Sequence, residues 1–256
     1  MNMKQIVSDF NTGKMQILTD ENDTFNFGCK QCGECCLNNG EIMVTPWDVI
    51  RISEALQKPA IDVLSNTLKI HIGENTHIPV ATLRSAPVPG TTVSACPYLA
   101  MDGSNIVCSI QKSKPFNCAI YPLGKMTQID KTTGVKSIKY FVQPITCKAD
   151  QSNTITLKDW LAMYDVDKAS EASAAFTQFI EDTGKIINLE LLDDQTDLGA
   201  SYNIKQKIYN VMLVSLYGSY EPHGTTDEIK ELNKIFETTI KILNKSVELE
   251  PGLKSF

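Results

Sequence analysis

The sequence predicts an α+β protein: an irregular, cysteine-rich N-terminal part with short strands and helices, followed by a C-terminal helical layer. Three observations carry that expectation. All eight cysteines lie between positions 29 and 147 and none follows, which divides the chain at about residue 150. Beyond that point apolar residues recur at three- and four-residue spacing, as amphipathic helices require. Before it, prolines and glycines interrupt the pattern repeatedly, and one stretch alternates with the two-residue period of a strand. The expected organisation is one unit over 1–150 and a helical extension over 151–256 packed on it.

The elements follow in order. Pro46 to Leu56 reads as a helix with Thr45 at its N-cap and Pro46 in its first turn. Residues 71–95 contain Pro79, Pro87, Pro89 and Gly90, a long connection with room for short strands. Cys96 and Cys108 flank Asp102-Gly103, which predicts a hairpin that folds one thiol back towards the other. Cys118 sits between Pro115 and Pro122, in a loop that two prolines stiffen. Residues 135–142 alternate as a strand and are broken by Pro144. Thr156 with Asp159 predicts a capped start for a helix over 156–164. Ala172, Ala175, Phe176, Phe179 and Ile180 mark one face of a helix over 168–182. Ile204, Ile208, Met212 and Leu216 mark another over 202–217. Thr225 with Glu228 predicts a capping box for the last helix, whose stripe of Ile229, Leu232, Phe236, Ile240 and Leu243 runs to about residue 246. Pro251-Gly252 then ends regular structure.

Composition narrows the classes of function. A chain of 256 residues with 42% apolar and 21% charged residues is ordinary for a globular protein. No apolar run approaches the roughly 20 residues that span a bilayer, and the opening Met1-Asn2-Met3-Lys4 has no apolar core behind it. These features predict a cytoplasmic protein with no membrane partner. The formal net charge of −6 offers no field for nucleic acid. In a reducing compartment an even cysteine count is better read as ligands than as disulfides.

The cysteines carry the strongest chemical statement. Cys29, Cys32, Cys35 and Cys36 fall within eight residues. Two residues between cysteines let both sulfurs reach one ion across a tight turn, and Gly33 stands where such a turn needs freedom from a β-carbon. Adjacent Cys35 and Cys36 diverge on regular backbone, so they imply two sites, a multinuclear centre or a distorted turn. Cys96, Cys108, Cys118 and Cys147 bring the total to eight, enough for two four-thiolate centres holding zinc or iron, the latter extending to a 4Fe–4S cluster. Spacing ties Cys147 least to the others, and a buried cysteine also serves as a small apolar residue. The spacings match neither the three-cysteine loop of radical enzymes nor that of bacterial ferredoxins.

The ordered combination of Cys29-x2-Cys32-x2-Cys35-Cys36, Asp48 at a helix start, Cys96-Pro97-Tyr98-Leu99, Cys108 and Lys114-Pro115-x2-Cys118-x2-Tyr121-Pro122 resembles the YkgJ-type cysteine-cluster family. The resemblance covers roughly residues 25–147 and implies a domain that chelates zinc or iron. Lys114 departs from the arginine usual there, which weakens any bidentate contact, and the spacer between Cys36 and Cys96 is long. A more distant likeness to the flagellin lysine methylase FliB implies methyl transfer to protein lysine.

The other reactive residues read as structural. His71, His77 and His223 lie in loops, where solvated histidine is the ordinary state. Asp193, Asp194 and Asp197 lack the spacing of a calcium loop, and Trp47 and Trp160 read as core anchors. No phosphate loop, nucleophile elbow or zinc-protease motif is present. Two hypotheses result. One is a binding protein whose thiolates hold the metal; the other is an iron–sulfur enzyme of redox or methyltransferase type. The sequence identifies no protein partner.

Overall fold

The computed structural model describes residues 15–37, 42–103, 105–129, 136–189 and 200–249. Val135, the Asp193–Asp197 loop, Pro251-Gly252 and the opening residues lie outside them. Among the described residues the architecture is the mixed α+β one expected: seven helices and several small sheets, with no barrel. No helix there is long and apolar enough to cross a membrane.

The strands are short and pair antiparallel. Strand β1 (Ile17–Leu18) lies beside β11 (Lys136–Val142), which pairs in turn with β10 (Leu123–Ile129). Strand β2 (Thr24–Asn26) pairs with β12 (Thr154–Thr156), tying residue 26 to residue 154. In the third sheet β5 (Pro79–Leu83) runs between β3 (Met43–Val44) and β4 (Leu68–Ile72). Two hairpin-like pairs complete the set: β6 (Ala86–Pro87) with β7 (Ser94–Ala95), and β8 (Leu99–Asp102) with β9 (Asn105–Cys108).

Helix α1 (Pro46–Leu56) begins at Thr45 and Pro46, as the sequence predicts. Thr45 Oγ1 accepts from Asp48 N at 3.2 Å, and Asp48 answers by accepting from Thr45 N at 2.8 Å, a complete capping box. Helix α2 (Ala60–Thr67) is an element the sequence reading did not contain; eight residues behind a proline hold too little periodicity to stand out. Helix α3 (Phe116–Ile120) replaces the loop expected around Cys118, because Pro115 starts a short helix as well as it stiffens a loop.

Helices α4 (Leu157–Ala162) and α5 (Val166–Ile186) follow, α5 outrunning its predicted 168–182 at both ends. Thr156 Oγ1 accepts from Asp159 N at 3.1 Å, the start predicted for α4. Helices α6 (Ala200–Tyr217) and α7 (Glu228–Leu249) close the layer. The cap of α7 differs from expectation: Asp227 Oδ1 accepts from Lys230 N at 3.0 Å, while Thr225 Oγ1 accepts one step earlier, from Asp227 N at 3.1 Å. Asp227 is the better-placed oxygen for the first free helical amides.

Two apolar cores result. The larger joins Trp47, Ile50 and Ile52 of α1 to Val63 of α2, Ala81 of β5, Met212 of α6 and Leu232 of α7. Phe176, Phe179 and Phe236 stack where α5 meets α7, with 4.8 Å between the Phe179 and Phe236 ring centres. The smaller core gathers Phe25, Phe27, Ile120, Leu123, Tyr140 and Trp160, with the Trp160 ring edge-on to both Phe25 and Phe27. Trp47 and Trp160 are thus the anchors the sequence suggested.

Glu54 fastens the helical layer to α1. Its carboxylate accepts from the Tyr220 hydroxyl and from the amides of His223 (3.0 Å), Gly224 (3.0 Å) and Thr225 (3.3 Å). Burial pushes this carboxyl upward, but the four donors outweigh it and hold it at about 2. The loop that leads into α7 is therefore wrapped around one acidic side chain.

Candidate metal centre

The site begins with a turn. Residues Glu34–Cys36 form one turn of 3-10 helix, entered through Gly33 in the left-handed region at φ 75°. Gly33 is required twice over. A side chain there would be strained, and a β-carbon would stand 2.4 Å from Ile106 Cγ2 on β9. This close approach sets the turn against the strand that ends in Cys108. The distortion also answers the difficulty of neighbouring cysteines: Cys35 Sγ and Cys36 Sγ lie 4.0 Å apart on the same side. Four sulfurs around one zinc at its usual bond length are separated by about 3.8 Å, so the pair is spaced as two corners of such a site.

Backbone pairing brings in the distant cysteines. Cys96 N donates to Cys36 O at 2.8 Å, and Leu37 bridges Ala95. The Cys36 and Cys96 side chains are also close enough to shift one another's protonation. The β8–β9 hairpin turns at Gly103, as expected, and pairs Cys108 with Leu99, three residues after Cys96. Cys118 lies in α3, whose first amide is held by Asp48. Cys147 arrives by another route: Glu34 Oε2 accepts from Lys148 N at 2.7 Å, and Glu34 Oε1 stands 3.3 Å from Lys148 Nζ. The same Oε2 is 3.9 Å from Cys32 Sγ. Gly28 O accepts from Asp150 N at 2.8 Å, one residue before the exposed Cys29.

None of the eight cysteines is in a disulfide, and the protonation of the shifted thiols follows their positions. Cys36 is neighbour to both Cys35 and Cys96 and keeps its proton where they lose theirs. Its side chain holds Cys35 down at about 6 and Cys96 at about 7, while Cys36 itself is pushed far up. Lys114 adds a positive charge beside Cys35, Cys108 and Cys118. Burial dominates at Cys118, raised to about 12, and it also raises Cys108 and Cys147. The charges of Cys35 and Cys96 push Cys118 and Cys108 up further, so these five thiols share one neighbourhood. Cys147 feels Cys32 and Cys35 in the same way. Cys96 and Cys108 pack against the larger core and Cys147 against the smaller, with Phe116 touching both. These three thiols stand beside the two apolar cores.

Among the described residues, no three His, Cys, Asp or Glu side chains already form a coordination shell. The thiols are gathered but not closed around a point. His71 lies in β4 and His223 beside Glu231, and neither enters this neighbourhood. Sequence reasoning passed over Glu34 as the residue that brings the Cys147 loop to the turn. A glutamate inside the CxxCxxCC motif was the available signal. Lys114 also gains a role its type did not announce: its ammonium sits 4.5 Å from the centre of the Tyr164 ring, beside the thiols.

A thiol-rich module of soft ligands, drawn from a turn, one strand, a short helix and loops, defines the class: a metal-chelating domain. The donor set fits a thiophilic ion such as zinc or iron. Residues 28–148 match the CxxCxxCC family model, whose description is "Putative zinc- or iron-chelating domain". No curated protein and no solved structure matches the chain.

Proposed function

We propose that the protein binds zinc or iron through thiolates, with Cys35, Cys36 and Cys96 at the heart of the centre. Cys32, Cys108, Cys118, Cys147 and Cys29 complete it. The observation that carries this reading is the Cys36 thiol neighbouring both Cys35 and Cys96, three sulfurs drawn from positions 60 residues apart. Partly charged thiols crowded together repel one another, and a bound cation turns that repulsion into attraction. Metal binding would expel the Cys36 proton, leaving all three as thiolates. Eight cysteines whose pattern reads as metal ligands suit a reducing compartment, and we place the protein in the cytoplasm.

A second reading, an iron–sulfur enzyme of redox or protein-lysine methyltransferase type, draws on the exposure of Cys29 and Cys35. An exposed ligand is one that a substrate or water can replace, as catalytic metal sites require. Anaerobic purification with metal analysis and visible absorption separates the two. Colourless protein with stoichiometric zinc supports the binding role, and brown protein with iron and acid-labile sulfide supports the cluster. Protein that takes up neither from anaerobic metal solutions refutes both.

A further inference from the structure

We propose that Asp48 is a positioning residue of the metal centre: it fixes helix α3 so that Cys118 faces Cys35 and Cys96. The inference rests on the thiolate reading above. Asp48 has no exposed surface. Its Oδ2 accepts from Thr45 N and from Thr45 Oγ1, each at 2.8 Å. Those two bonds complete the capping box of α1, and a capping box works at an exposed helix end without burying its acid. Burying a carboxylate is costly unless every lone pair is used. The second oxygen accounts for the burial: Oδ1 accepts from Phe116 N at 3.0 Å, across 68 residues of sequence.

Phe116 is the first residue of α3, and Cys118 is two residues on. A five-residue helix is far below the length at which a helix holds itself, so α3 needs an outside tether. Others are present: Trp160 Nε1 donates to Ile120 O at 3.1 Å, Asn117 Nδ2 donates to Met43 O at 3.4 Å, and Phe116 packs against both cores. The Asp48 bond is the shortest of the polar ones, and it forms in a fully buried setting that raises this carboxyl above its ordinary range. Arg51, one turn along α1, places its charge near Asp48 and bonds Lys112 O at 2.9 Å, drawing in the chain just before α3. Both ends of the approach to Cys118 are thus fastened to one helix. Residues that hold ligands without touching the metal typically change its affinity about 10- to 100-fold when replaced.

Cobalt(II) uptake by the full chain under anaerobic conditions tests this, since sulfur-to-cobalt absorption reports bound thiolates. Asp48→Asn is expected to weaken cobalt binding 10- to 100-fold and to reduce that absorption to the level of Cys118→Ser. The double variant should fall no further, because Asp48 acts through Cys118. Thr45→Ala, which loses the cap but keeps the bond to Phe116, should lower the thermal midpoint and leave the spectrum intact. If Asp48→Asn does not fold, Phe116→Pro removes the donor at a helix position where proline is accepted, with Phe116→Ala as its packing control. The proline variant should then match Cys118→Ser and the alanine variant should not. An unchanged spectrum in Asp48→Asn, or additive losses in the double variant, overturns this inference alone. A wild-type chain without sulfur-to-cobalt absorption overturns the metal reading and this inference together.

Discussion

Helix α1 and the cysteine turn that precedes it, only nine residues apart, are stabilised in opposite ways. From Pro46 to Ser53 every residue but Arg51 is buried, and α2, α6 and α7 all pack around the helix. From Gly28 to Leu37 only Gly33 is buried, and the turn contributes no side chain to either core. Its fixed points are a backbone bond to Cys96, the contact of Gly33 with Ile106 and the Glu34 link to Lys148. Apolar burial is non-directional and survives small shifts, whereas a site held by a few bonds needs a ligand to finish it. The difference teaches where a metal matters in this chain: it would close the turn, while the helices stand on their own contacts.

The sharpest way to break that contrast is to remove the metal. At a structural zinc, on the order of 10 kcal/mol of binding energy is coupled to folding. Chelation, or Cys36→Ser, should therefore speed amide exchange across 28–37 and 94–110 by orders of magnitude while α1 and α7 stay protected. Uniform loss of protection would show that the two regions are not held differently. The converse change comes next in size. Leu232→Ala in the larger core should cost about 3 kcal/mol and lower the thermal midpoint, with metal per chain unaltered.

Glu54→Gln should remove about 1–2 kcal/mol, since its charge-assisted bonds are partly screened by solvent. This loss depends on pH with a definite sign. The folded carboxyl sits at about 2 against an ordinary 4.5, so its contribution is fully present above 4.5 and fades as pH falls towards 2. Denaturant midpoints of wild type and variant should converge over that window; a constant gap would mean the charge is not what holds the loop. The smallest effect belongs to Thr156→Ala, about 1 kcal/mol for a lost helix cap. Circular dichroism melts should register it with no change in bound metal.

The helices were legible because a repeat of three to four residues can be read locally. Ile208, Met212 and Leu216, and likewise Leu232, Phe236 and Leu243, are buried as their stripes require. Local signals also misled in a consistent way. Pro115 and Pro122 suggested a loop where Cys118 rides on a helix, and Thr225 was the nearer capping type where Asp227 has the geometry. In both cases a neighbour distant in sequence or a shift of two residues decided, and residue type alone does not encode either.

The sequence by itself determined the chemistry: eight thiols confined to one part, four of them in a spacing that resembles a known chelating family, with no histidine or acid pattern to compete. Only the tertiary structure decided how those thiols meet. Cys36 reaches Cys96 through a backbone bond, Cys118 is tethered through Asp48, and the Cys147 loop is brought in through Glu34. Each link joins residues 60 to 114 positions apart. Ligand type is a property of single residues and survives in any conformation, but convergence depends on chain crossings that exist only once both cores have formed.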